Sequence, residues 1–576
     1  MKTEVSARYQ VIFIIFIAFG IYYPSLFGQA NSVDDIKMMT HLFSMQHVDL
    51  KNLFFPMKPF HYYRPVLFST FIFDKFVFFC SESFMHLHNI VLHTANGVLV
   101  FYIVREMIRM FRIAAKRYVP MFTSLLFVLH PVNTEAVNWI SGRTDVLAGT
   151  FVFLAFFIFL RKGFGSIRWC WAAAFFYLLG LLSKEVALGL LPAVGLFLIL
   201  KEEPVETLSA RRRFELLLPF LLITLLYFVM RSVASGHSHS GFVTATGVTE
   251  SRHLQIGAGN AVKAFGFYIK KLFIPVPLNF CIMQIHGMFY FWFGLAMGAV
   301  AVYLLLRKRA LGVFLFLFSI IFFLPSIPIA MNIIEAWTPL GERYLYISSF
   351  GASALVVILS EKIPLGKKSA GAIMALLLLT AAFITANRNI IWQDNLTLFE
   401  DTVKKSPKSA AARNEYAAAL TNKGRYDEAF EQFTISARLA GKIKYREVPS
   451  LNTLLLKGPL SNPEEIKDEY RKLLEDIPEA SVAILRNFTR FLDSRAMNEK
   501  DPAKRAALFR ELISFTGRLF EVERTGFTAY RIGQLHLALG ENKEAVKYFR
   551  LAIELSPNEY FSDPARRLIR SVDAGT

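Results

Sequence analysis

The sequence predicts an all-α protein in which a polytopic helical membrane domain precedes a soluble helical repeat domain. Of its 576 residues, 54% are hydrophobic and 15% aromatic, above the roughly 45–50% apolar content of an average soluble protein. The apolar residues form long runs that end near Asn387, after which the chain is charged and helically periodic. We therefore place the membrane domain at residues 1–387 and the soluble domain at 388–576.

The apolar runs predict about eleven membrane spans. A helix needs about 20 apolar residues to cross a bilayer, and several runs are shorter than that. The first run follows Lys2 and Arg8 as in a signal peptide, but no clear cleavage site follows it, so we interpret it as a retained span. The runs lie near residues 10–28, 84–104, 118–130, 145–160, 169–182, 185–200, 214–231, 288–307, 311–330, 345–361 and 368–386.

The distribution of basic residues predicts the orientation of these spans. The net charge of +19 resides mostly in the membrane domain, so it indicates orientation rather than binding to nucleic acid. Cytoplasmic loops are enriched in Lys and Arg. One set of alternate loops carries nearly all the basic clusters, and an odd number of spans then leaves the N-terminus inside and the C-terminus outside. These clusters are Lys2 and Arg8, Arg105–Arg117, Arg161–Arg168, Lys201–Arg213, Arg307–Arg309 and Lys362–Lys368.

One segment, Ala261–Phe280, does not fit the pattern of spans. It is apolar but is interrupted by three lysines and by Pro275 and Pro277. We expect a helix that lies in the outer interface or dips into the membrane. If it crossed the bilayer, every later loop would change sides.

The soluble domain contains internal repeats. In the last repeat, Gly533, Ala545, Phe549, Ala552 and Pro557 fall on the 34-residue tetratricopeptide spacing, with small residues where two helices cross. A unit around 406–440 matches at corresponding offsets, and the segment between them is degenerate. We expect about four repeats, which would bury a continuous core and present a concave groove for peptide.

A charged stretch lies between two of the apolar runs. The sequence HPVNTEAVNWISGRTD contains His130, Glu135, Arg143 and Asp145. A charged group inside a bilayer costs roughly 2.5–3.5 kcal/mol even on mild scales. The stretch is therefore expected at a membrane surface or beside a hydrated cavity, on the outer side of the predicted topology.

Further ionisable residues are predicted on that same side. The first outer loop, about 28–83, carries Asp34 and Asp35, which could supply a general base or hold a divalent cation, the one cofactor considered. Arg64 follows in the same loop and suits a phosphate. Later membrane entries carry Lys184 with Glu185 and Glu342 with Arg343. Each pattern also has a structural interpretation: a helix cap, an interfacial anchor or an internal ion pair.

Other catalytic patterns are weaker. His237 and His239 have the spacing of metal ligands, but their Gly/Ser surroundings favour a flexible loop. The three cysteines are far apart in apolar surroundings and indicate neither a disulfide framework nor a metal site. The sequence contains no Walker loop, GxGxxG, HExxH or CxxC motif, which disfavours nucleotide-driven transport and familiar metalloprotease chemistry.

Taken together, these blocks resemble a known family. The sequence HPVNTEAVNWISGRTDVLAG (130–149) closely resembles the signature of the transmembrane and tetratricopeptide-repeat proteins, a group of protein O-mannosyltransferases. The Asp34–Asp35 pair, YRP (63–65), SKE (183–185) and GERYLY (341–346) resemble its other blocks in the same order, and the repeats follow. The array here is shorter and partly degenerate. The compact size suggests a bacterial member.

The resemblance implies a membrane glycosyltransferase that moves a hexose, such as mannose, from a polyprenyl-phosphate carrier to Ser/Thr hydroxyls of proteins, with inversion. It implies Asp34 as the base, assisted by Asp35, and repeats that bind the acceptor. Cations would bind the donor phosphate and carboxylates would orient them or bind sugar. The implied cations are Arg64, His130, Arg143, Lys184 and Arg343, and the implied carboxylates are Glu135, Asp145, Glu185 and Glu342.

Two alternatives remain open at this stage. A transferase of the same class could modify a lipid or glycan, or ligate a lipid-linked oligosaccharide. A non-enzymatic membrane scaffold could instead use the repeats to bind peptides. The expected partners are a polyprenyl-phosphate sugar, an acceptor protein and membrane lipid, without nucleic acid. The expected location is a bacterial inner membrane with a periplasmic repeat domain, or the endoplasmic reticulum membrane with a lumenal one.

Overall fold

The computed structural model is helical throughout the residues that it describes, which confirms the predicted all-α class. It describes residues 2–45, 50–56, 63–113, 117–200, 209–234, 251–283, 285, 287–307, 311–331, 339–364, 366–440, 447–457, 462–476, 482–557 and 559–574. Two compact units result, Met1–Ala419 and Leu420–Thr576. The first unit continues past the position 387 at which the apolar runs end.

The first unit contains nineteen α-helices within its described part, the last of which continues to Asn422. Short 3-10 turns occupy Tyr23–Phe27, Glu185–Gly189, Leu324–Ser326 and Glu342–Leu345, and a π-turn occupies Phe159–Gly163. The helices are α1 (Lys2–Tyr22), α2 (Asp35–Ser44), α3 (Leu50–Phe54), α4 (Pro65–Phe78), α5 (Glu82–Met110), α6 (Val119–Val128), α7 (Asn133–Asn138), α8 (Arg143–Ile158), α9 (Ile167–Leu181), α10 (Leu190–Leu200), α11 (Ala210–Ala234), α12 (Ser251–Phe273), α13 (Phe289–Arg307), α14 (Leu311–Ile321), α15 (Ile327–Met331), α16 (Ser348–Ser360), α17 (Lys367–Ile391), α18 (Asn395–Lys405) and α19 (Ala410–Asn422).

Each of the eleven predicted apolar runs corresponds to a helical segment. Among the described residues, seven segments are long and apolar enough to cross a membrane, and four more are apolar but shorter. The long ones are Ala7–Phe27, Glu82–Met110, Arg143–Gly163, Ala210–Ala234, Phe289–Leu306, Leu311–Met331 and Lys368–Ile391, and the short ones are Val119–Val128, Ile167–Leu181, Glu185–Leu200 and Ser348–Ser360.

Of the segment 261–280, which did not fit the pattern of spans, residues 261–273 belong to α12 and residues 274–280 follow it outside any helix; α12 is not among these eleven segments. α12 crosses α13 at two glycines: a Cβ on Gly266 would lie 2.3 Å from the Tyr290 carbonyl oxygen. Likewise, a Cβ on Gly294 would lie 2.3 Å from the Val262 carbonyl oxygen. Glycine is needed at both positions because the two backbones touch, as small residues allow in membrane helix pairs.

The second unit consists of helix pairs. Its helices are α20 (Tyr426–Ala440), α21 (Glu447–Lys457), α22 (Pro463–Asp476), α23 (Val482–Asn498), α24 (Pro502–Val522), α25 (Gly526–Ala538), α26 (Asn542–Leu555) and α27 (Ser562–Ala574). In the last predicted repeat, Ala545, Phe549 and Ala552 are fully buried. A Cβ on Gly533 would lie 2.7 Å from the Phe549 ring, so the small residue is needed where α25 crosses α26.

Candidate active site

The two adjacent aspartates at the start of α2 have different environments. Asp34 caps α2 without a side-chain bond to the helix, and the residue is exposed although its carboxyl is partly desolvated. Asp35 is buried and accepts hydrogen bonds from the backbone N–H of Asn31 at 3.0 Å. It also accepts from both the backbone N–H, at 2.8 Å, and the hydroxyl of Ser141. Asp35 therefore fastens the first loop to the 139–142 turn, and Asp34 is the carboxylate open to a substrate.

Asp34 lies within electrostatic range of a cation from a distant part of the chain. Partial burial raises the pKa of Asp34, while the positive charges of Arg343 and Lys37 oppose that rise. Burial raises the pKa of Asp35 to about 6, and the negative charge of Asp34 adds to this rise. The structure thus brings together two predicted site residues, Asp34 and Arg343, that are more than 300 positions apart in sequence.

Arg343 is held by the predicted carboxylate Glu135. The Arg343 guanidinium donates to one Glu135 oxygen, and the other oxygen accepts from the backbone N–H of Glu342 at 2.8 Å and of Arg343 at 3.2 Å. The guanidinium also lies over the rings of Trp139 and Tyr344, at 5.1 and 4.8 Å from their centroids. Stacking and a carboxylate together fix the orientation of this cation.

Lys184 forms the neighbouring ion pair. Its ammonium donates to both oxygens of Asp145 at 2.6 Å and lies 5.2 Å from the centre of the Tyr344 ring. Burial lowers the pKa of Lys184, the charge of Asp145 opposes this fall, and the charges of Arg64 and Arg343 lower the pKa further. A bound anion would therefore add to the effect of Asp145 and stabilise the charged form of Lys184.

A third cluster surrounds Glu185, which binds two arginines. One Glu185 oxygen accepts from Arg64 at 2.8 Å and the other from Arg231 at 2.7 Å. Arg231 also donates to the Tyr227 hydroxyl at 2.7 Å. All three charged side chains are partly exposed. Sequence analysis did not single out Arg231, which lies near the end of the apolar helix α11.

The three clusters carry an excess of positive charge. The four cations Arg64, Lys184, Arg231 and Arg343 are matched by only the three carboxylates Glu135, Asp145 and Glu185. When all seven are ionised, one positive charge remains uncompensated within these clusters, and Asp34, which lies within electrostatic range of Arg343, balances it when its carboxyl is ionised. Such an arrangement is suited to a monoanionic phosphate ester.

Two residues expected to bind phosphate occupy positions that do not allow it here. Arg143 is fully buried and donates to Asp74 at 2.5 Å, to Asn89 at 2.8 Å and to the Met85 carbonyl at 2.9 Å. Every nitrogen of its guanidinium is therefore already bonded within the protein. Its partners Asp74 and Asn89 lie inside helices and belong to no motif. The one indication of this buried pair in the sequence is a carboxylate, Asp74, within the apolar helix α4.

His130 is the second such residue. Its Nε2 is 3.0 Å from the Leu272 carbonyl oxygen, and its Nδ1 is 3.4 Å from the backbone nitrogen of Val132. Burial lowers its pKa to about 4. At neutral pH the ring is uncharged with both nitrogens in use, so it ties the 130–145 stretch to α12 instead of acting as a cation.

Glu342 is also used within the protein. Its carboxylate accepts from Lys271 at 2.5 Å and from the backbone N–H of Asn279 at 3.0 Å. This buried pair fastens α12 to the turn that carries Arg343. Lys271 was noted in the sequence only as an interruption of an apolar segment, because its partner lies 71 positions away.

The predicted divalent cation does not fit the described residues well. Asp35 is occupied by Asn31 and Ser141, which leaves Asp34 as the single available carboxylate of the pair. Across the described ranges, no group of three or more His, Cys, Asp or Glu side chains could hold a metal ion. His237 and His239 lie outside the described residues, as do His61 and Tyr62 of the first outer loop.

The charged residues of the first unit form two layers, one at each end of its helices. At one layer, Arg161 pairs with Glu106 and the Tyr118 hydroxyl donates to Glu361 at 2.6 Å, so residues beside the predicted cytoplasmic loops meet there. The site residues meet at the opposite ends of these helices. The fold thus combines a multi-helix membrane unit, a charged site at one helix-end layer and a repeat domain, which defines a class of polytopic membrane protein.

Known proteins similar to this chain share the family resemblance seen in its sequence. The tetratricopeptide repeat model matches residues 528–559. Protein O-mannosyl-transferase TMTC3 of Mus musculus is 25% identical over 410 residues, covering 64% of this chain and 44% of that protein. Tmtc3 of Drosophila melanogaster is 24% identical over 454 residues, covering 66% and 48%. The resemblance to the transmembrane and tetratricopeptide-repeat O-mannosyltransferase family is therefore confirmed.

The match has a defined extent. Over a shorter stretch of 130 residues, TMTC1 of Mus musculus is 32% identical, covering 22% of this chain and 13% of that protein. The chain thus spans about half the length or less of the curated relatives it matches. A solved structure, the Cut9–Hcn1 hetero-tetramer of APC/C, covers 80% of the chain at 11% identity with a TM-score of 0.19, too low to inform the fold.

Proposed function

We propose that this chain is a membrane glycosyltransferase that moves a hexose from a polyprenyl-phosphate carrier to Ser/Thr hydroxyls of proteins. The matched relatives are named protein O-mannosyl-transferases, and mannose is therefore the first sugar to test. The observation that carries the proposal is the exposed residue Asp34, whose carboxyl lies within electrostatic range of Arg343. A base and a phosphate-binding cation are the two groups that this reaction needs most.

The reaction is a single displacement. The acceptor hydroxyl oxygen attacks the anomeric carbon of the sugar and loses its proton to Asp34. The bond between that carbon and the phosphate oxygen breaks, and its electron pair leaves with the lipid phosphate. Because phosphate is already a good leaving group, little general acid is required, and one displacement inverts the anomeric carbon.

The cations have graded roles in this mechanism. Arg343 and Lys184 would bind the departing phosphate, because these two cations lie within electrostatic range of each other and Arg343 also lies within electrostatic range of Asp34. Arg64 and Arg231, in the Glu185 cluster, would add positive charge around the same lipid phosphate. Glu135, Asp145 and Glu185 orient these cations through the ion pairs described above, and Glu342 acts one step further away by fixing the turn of Arg343.

Replacing Asp34 by Asn tests the base. We expect kcat to fall by about 10²–10⁴, the usual contribution of general base catalysis, with little change in thermal stability because the Asp34 side chain makes no helix-cap bond. The measurement is transfer from a purified polyprenyl-phosphate mannose to a Ser/Thr peptide by the full-length protein in detergent or nanodiscs. The anomeric configuration of the product is determined by NMR.

Glu400→Gln is the matched control, since the Glu400 side chain is partly exposed and pairs with the exposed Lys404 one turn further along α18. It should leave transfer unchanged. Wild-type activity in Asp34→Asn, or a product with retained configuration, would contradict the assignment of Asp34. Transfer to lipid or glycan but not to peptide would support the alternative acceptor.

A further inference from the structure

The loop that carries Asp34 is held from two sides. On one side, Asp35 binds the 139–142 turn. On the other, the backbone N–H of Gln29 donates to the Gln393 carbonyl at 3.0 Å, and the side-chain amide of Asn395 donates to the Ala30 carbonyl at 2.9 Å. The loop is therefore part of a fixed layer that includes the start of α18.

A carboxylate from α19 completes this attachment. The Ser32 hydroxyl donates to Glu415 Oε2 at 2.5 Å, across 383 positions of sequence. The backbone N–H of Ser32 donates to the Asn395 side chain at 3.3 Å. Val33 packs in the same place against an aromatic cluster that includes Trp392. Ser32 is two residues before Asp34, so Glu415 fixes the loop immediately before the proposed base.

Glu415 and Asp34 also lie within electrostatic range of each other. Burial raises the pKa of Glu415, the Ser32 and Asn414 hydrogen bonds oppose this rise, and the negative charge of Asp34 adds to it. Coulomb repulsion is mutual, so an ionised Glu415 disfavours the ionised form of Asp34 in turn. The other charged groups that act on Asp34 are Arg343 and Lys37, of opposite sign, and Asp35, of like sign.

We propose that Glu415 is a positioning residue for Asp34, which holds the loop of the base through Ser32 and keeps a second negative charge beside it. This inference rests on the proposed base role of Asp34. A general base works best when its pKa lies near the operating pH. Repulsion from an ionised Glu415 raises the pKa of Asp34, whereas attraction to Arg343 and Lys37 lowers it. A higher pKa makes the Asp34 carboxylate a stronger proton acceptor.

The test is Glu415→Gln, which removes the charge but keeps an oxygen that can accept from Ser32. The pKa of Asp34 should fall, so the acid limb of the kcat profile should move to lower pH by about half a unit, and kcat on the plateau should decrease. Glu400→Gln is the matched control and should leave the profile in place. Ser32→Ala, which keeps the charge and removes the hydrogen bond, should lower kcat with a smaller shift of the acid limb.

A second measurement does not depend on turnover. Labelling of Asp34 by a water-soluble carbodiimide and an amine, followed by peptide mass spectrometry across pH, reports the protonation of this carboxyl directly. Its midpoint should be lower in Glu415→Gln than in wild type. An unchanged midpoint and an unchanged acid limb would overturn the inference, even if the variant were less stable, since that would leave Glu415 a purely structural role. The proposed base role fails separately if Asp34→Asn retains activity while Glu415→Gln still shifts the labelling midpoint of Asp34.

Discussion

At the scale of single residues, the environment of each charge separates groups that look equivalent in sequence. Asp34 and Asp35 are adjacent, yet Asp35 uses its carboxylate on Asn31 and Ser141 while Asp34 remains exposed. A fully bonded carboxylate is a poor proton acceptor for a substrate, because accepting the proton would break bonds that hold the loop. The hydrogen bonds of each aspartate, and not its residue type, therefore decide that Asp35 holds the loop and Asp34 is available to a substrate.

Arg143 shows the same point for cations. It resembles a phosphate ligand by type and position, but it forms a buried ion pair with Asp74 and stacks 4.5 Å from the centre of the Phe71 ring. Removing one partner of a buried ion pair typically costs about 3–5 kcal/mol, because a charge is left unpaired in the interior. Arg143 is therefore expected to act on stability and not on donor binding.

Arg143→Lys distinguishes these roles. A lysine keeps the charge, but its single ammonium cannot replace three bonded guanidinium nitrogens, so we expect a loss of about 1–3 kcal/mol, measured as a lower Tm in detergent. The KM for the lipid-phosphate sugar should remain within about twofold in the folded fraction. Arg161→Lys is the control, because the Arg161 side chain is half-exposed although its partner Glu106 is buried, and it should change stability by less than about 0.5 kcal/mol. A raised KM with an unchanged Tm would contradict this and indicate that Arg143 binds the donor phosphate.

At the scale of elements, the sequence predicted helices well and partners poorly. An apolar run announces a helix by its own composition, and each of the eleven runs corresponds to one. An ion pair such as Glu135 with Arg343 depends on two segments more than 200 positions apart. Neither segment contains a pattern that identifies the other as its partner. The sequence supplied the expectation that buried charges need partners, and the fold supplied the partners.

The charges that sequence analysis missed lie inside regular elements. Asp74, Lys271 and Arg231 are on helices and belong to no recognisable motif, unlike the charges between runs, which stand out from their neighbours. Each is nevertheless paired in the structure, with Arg143, Glu342 and Glu185 respectively. An ionisable residue within an apolar helix is therefore a useful sequence-level indication of a buried network.

The repeat prediction can be tested at a single helix crossing. In Gly533→Val, the new Cβ would lie 2.7 Å from Phe549 and 3.2 Å from the Ala545 carbonyl oxygen. Overpacking of this kind costs about 1–3 kcal/mol, so we expect faster limited proteolysis between α25 and α26 of the full-length protein. Gly517→Ala is the control, because nothing lies within 4 Å of its Cβ and its helix should gain slightly. Equal proteolysis of both variants would contradict close packing at Gly533.

At the scale of the whole membrane unit, topology depends on α12. Near its start, a Cβ on Gly257 would lie 3.3 Å from the Met331 side chain, at the end of the segment Leu311–Met331. Near its end, Lys271 binds Glu342 and the Leu272 carbonyl accepts from His130. In the predicted topology, Met331, Glu342 and His130 all belong to the outer layer. Both ends of α12 therefore lie on the same side of the membrane.

A helix with both ends in one layer does not change the parity of the spans. We therefore predict an odd number of crossings, with the N-terminus in the cytoplasm and both Asp34 and the repeat domain on the other side. The alternative, in which α12 spans, would place Arg307 outside against the basic-residue rule. It would also require Met331 and Glu342 to lie on opposite sides of the membrane.

Cysteine accessibility tests this prediction, and the three native cysteines are buried and so give a low background. Ala258→Cys and Ile274→Cys, near the two ends of α12, should react with an impermeant maleimide from the same side as Lys423→Cys. Arg168→Cys and Lys362→Cys should react only from the opposite side, in sealed vesicles of known orientation. Labelling of positions 258 and 274 from opposite sides would make α12 a span, reverse the later loops and separate Asp34 from Arg343, and the proposed active site would then be untenable.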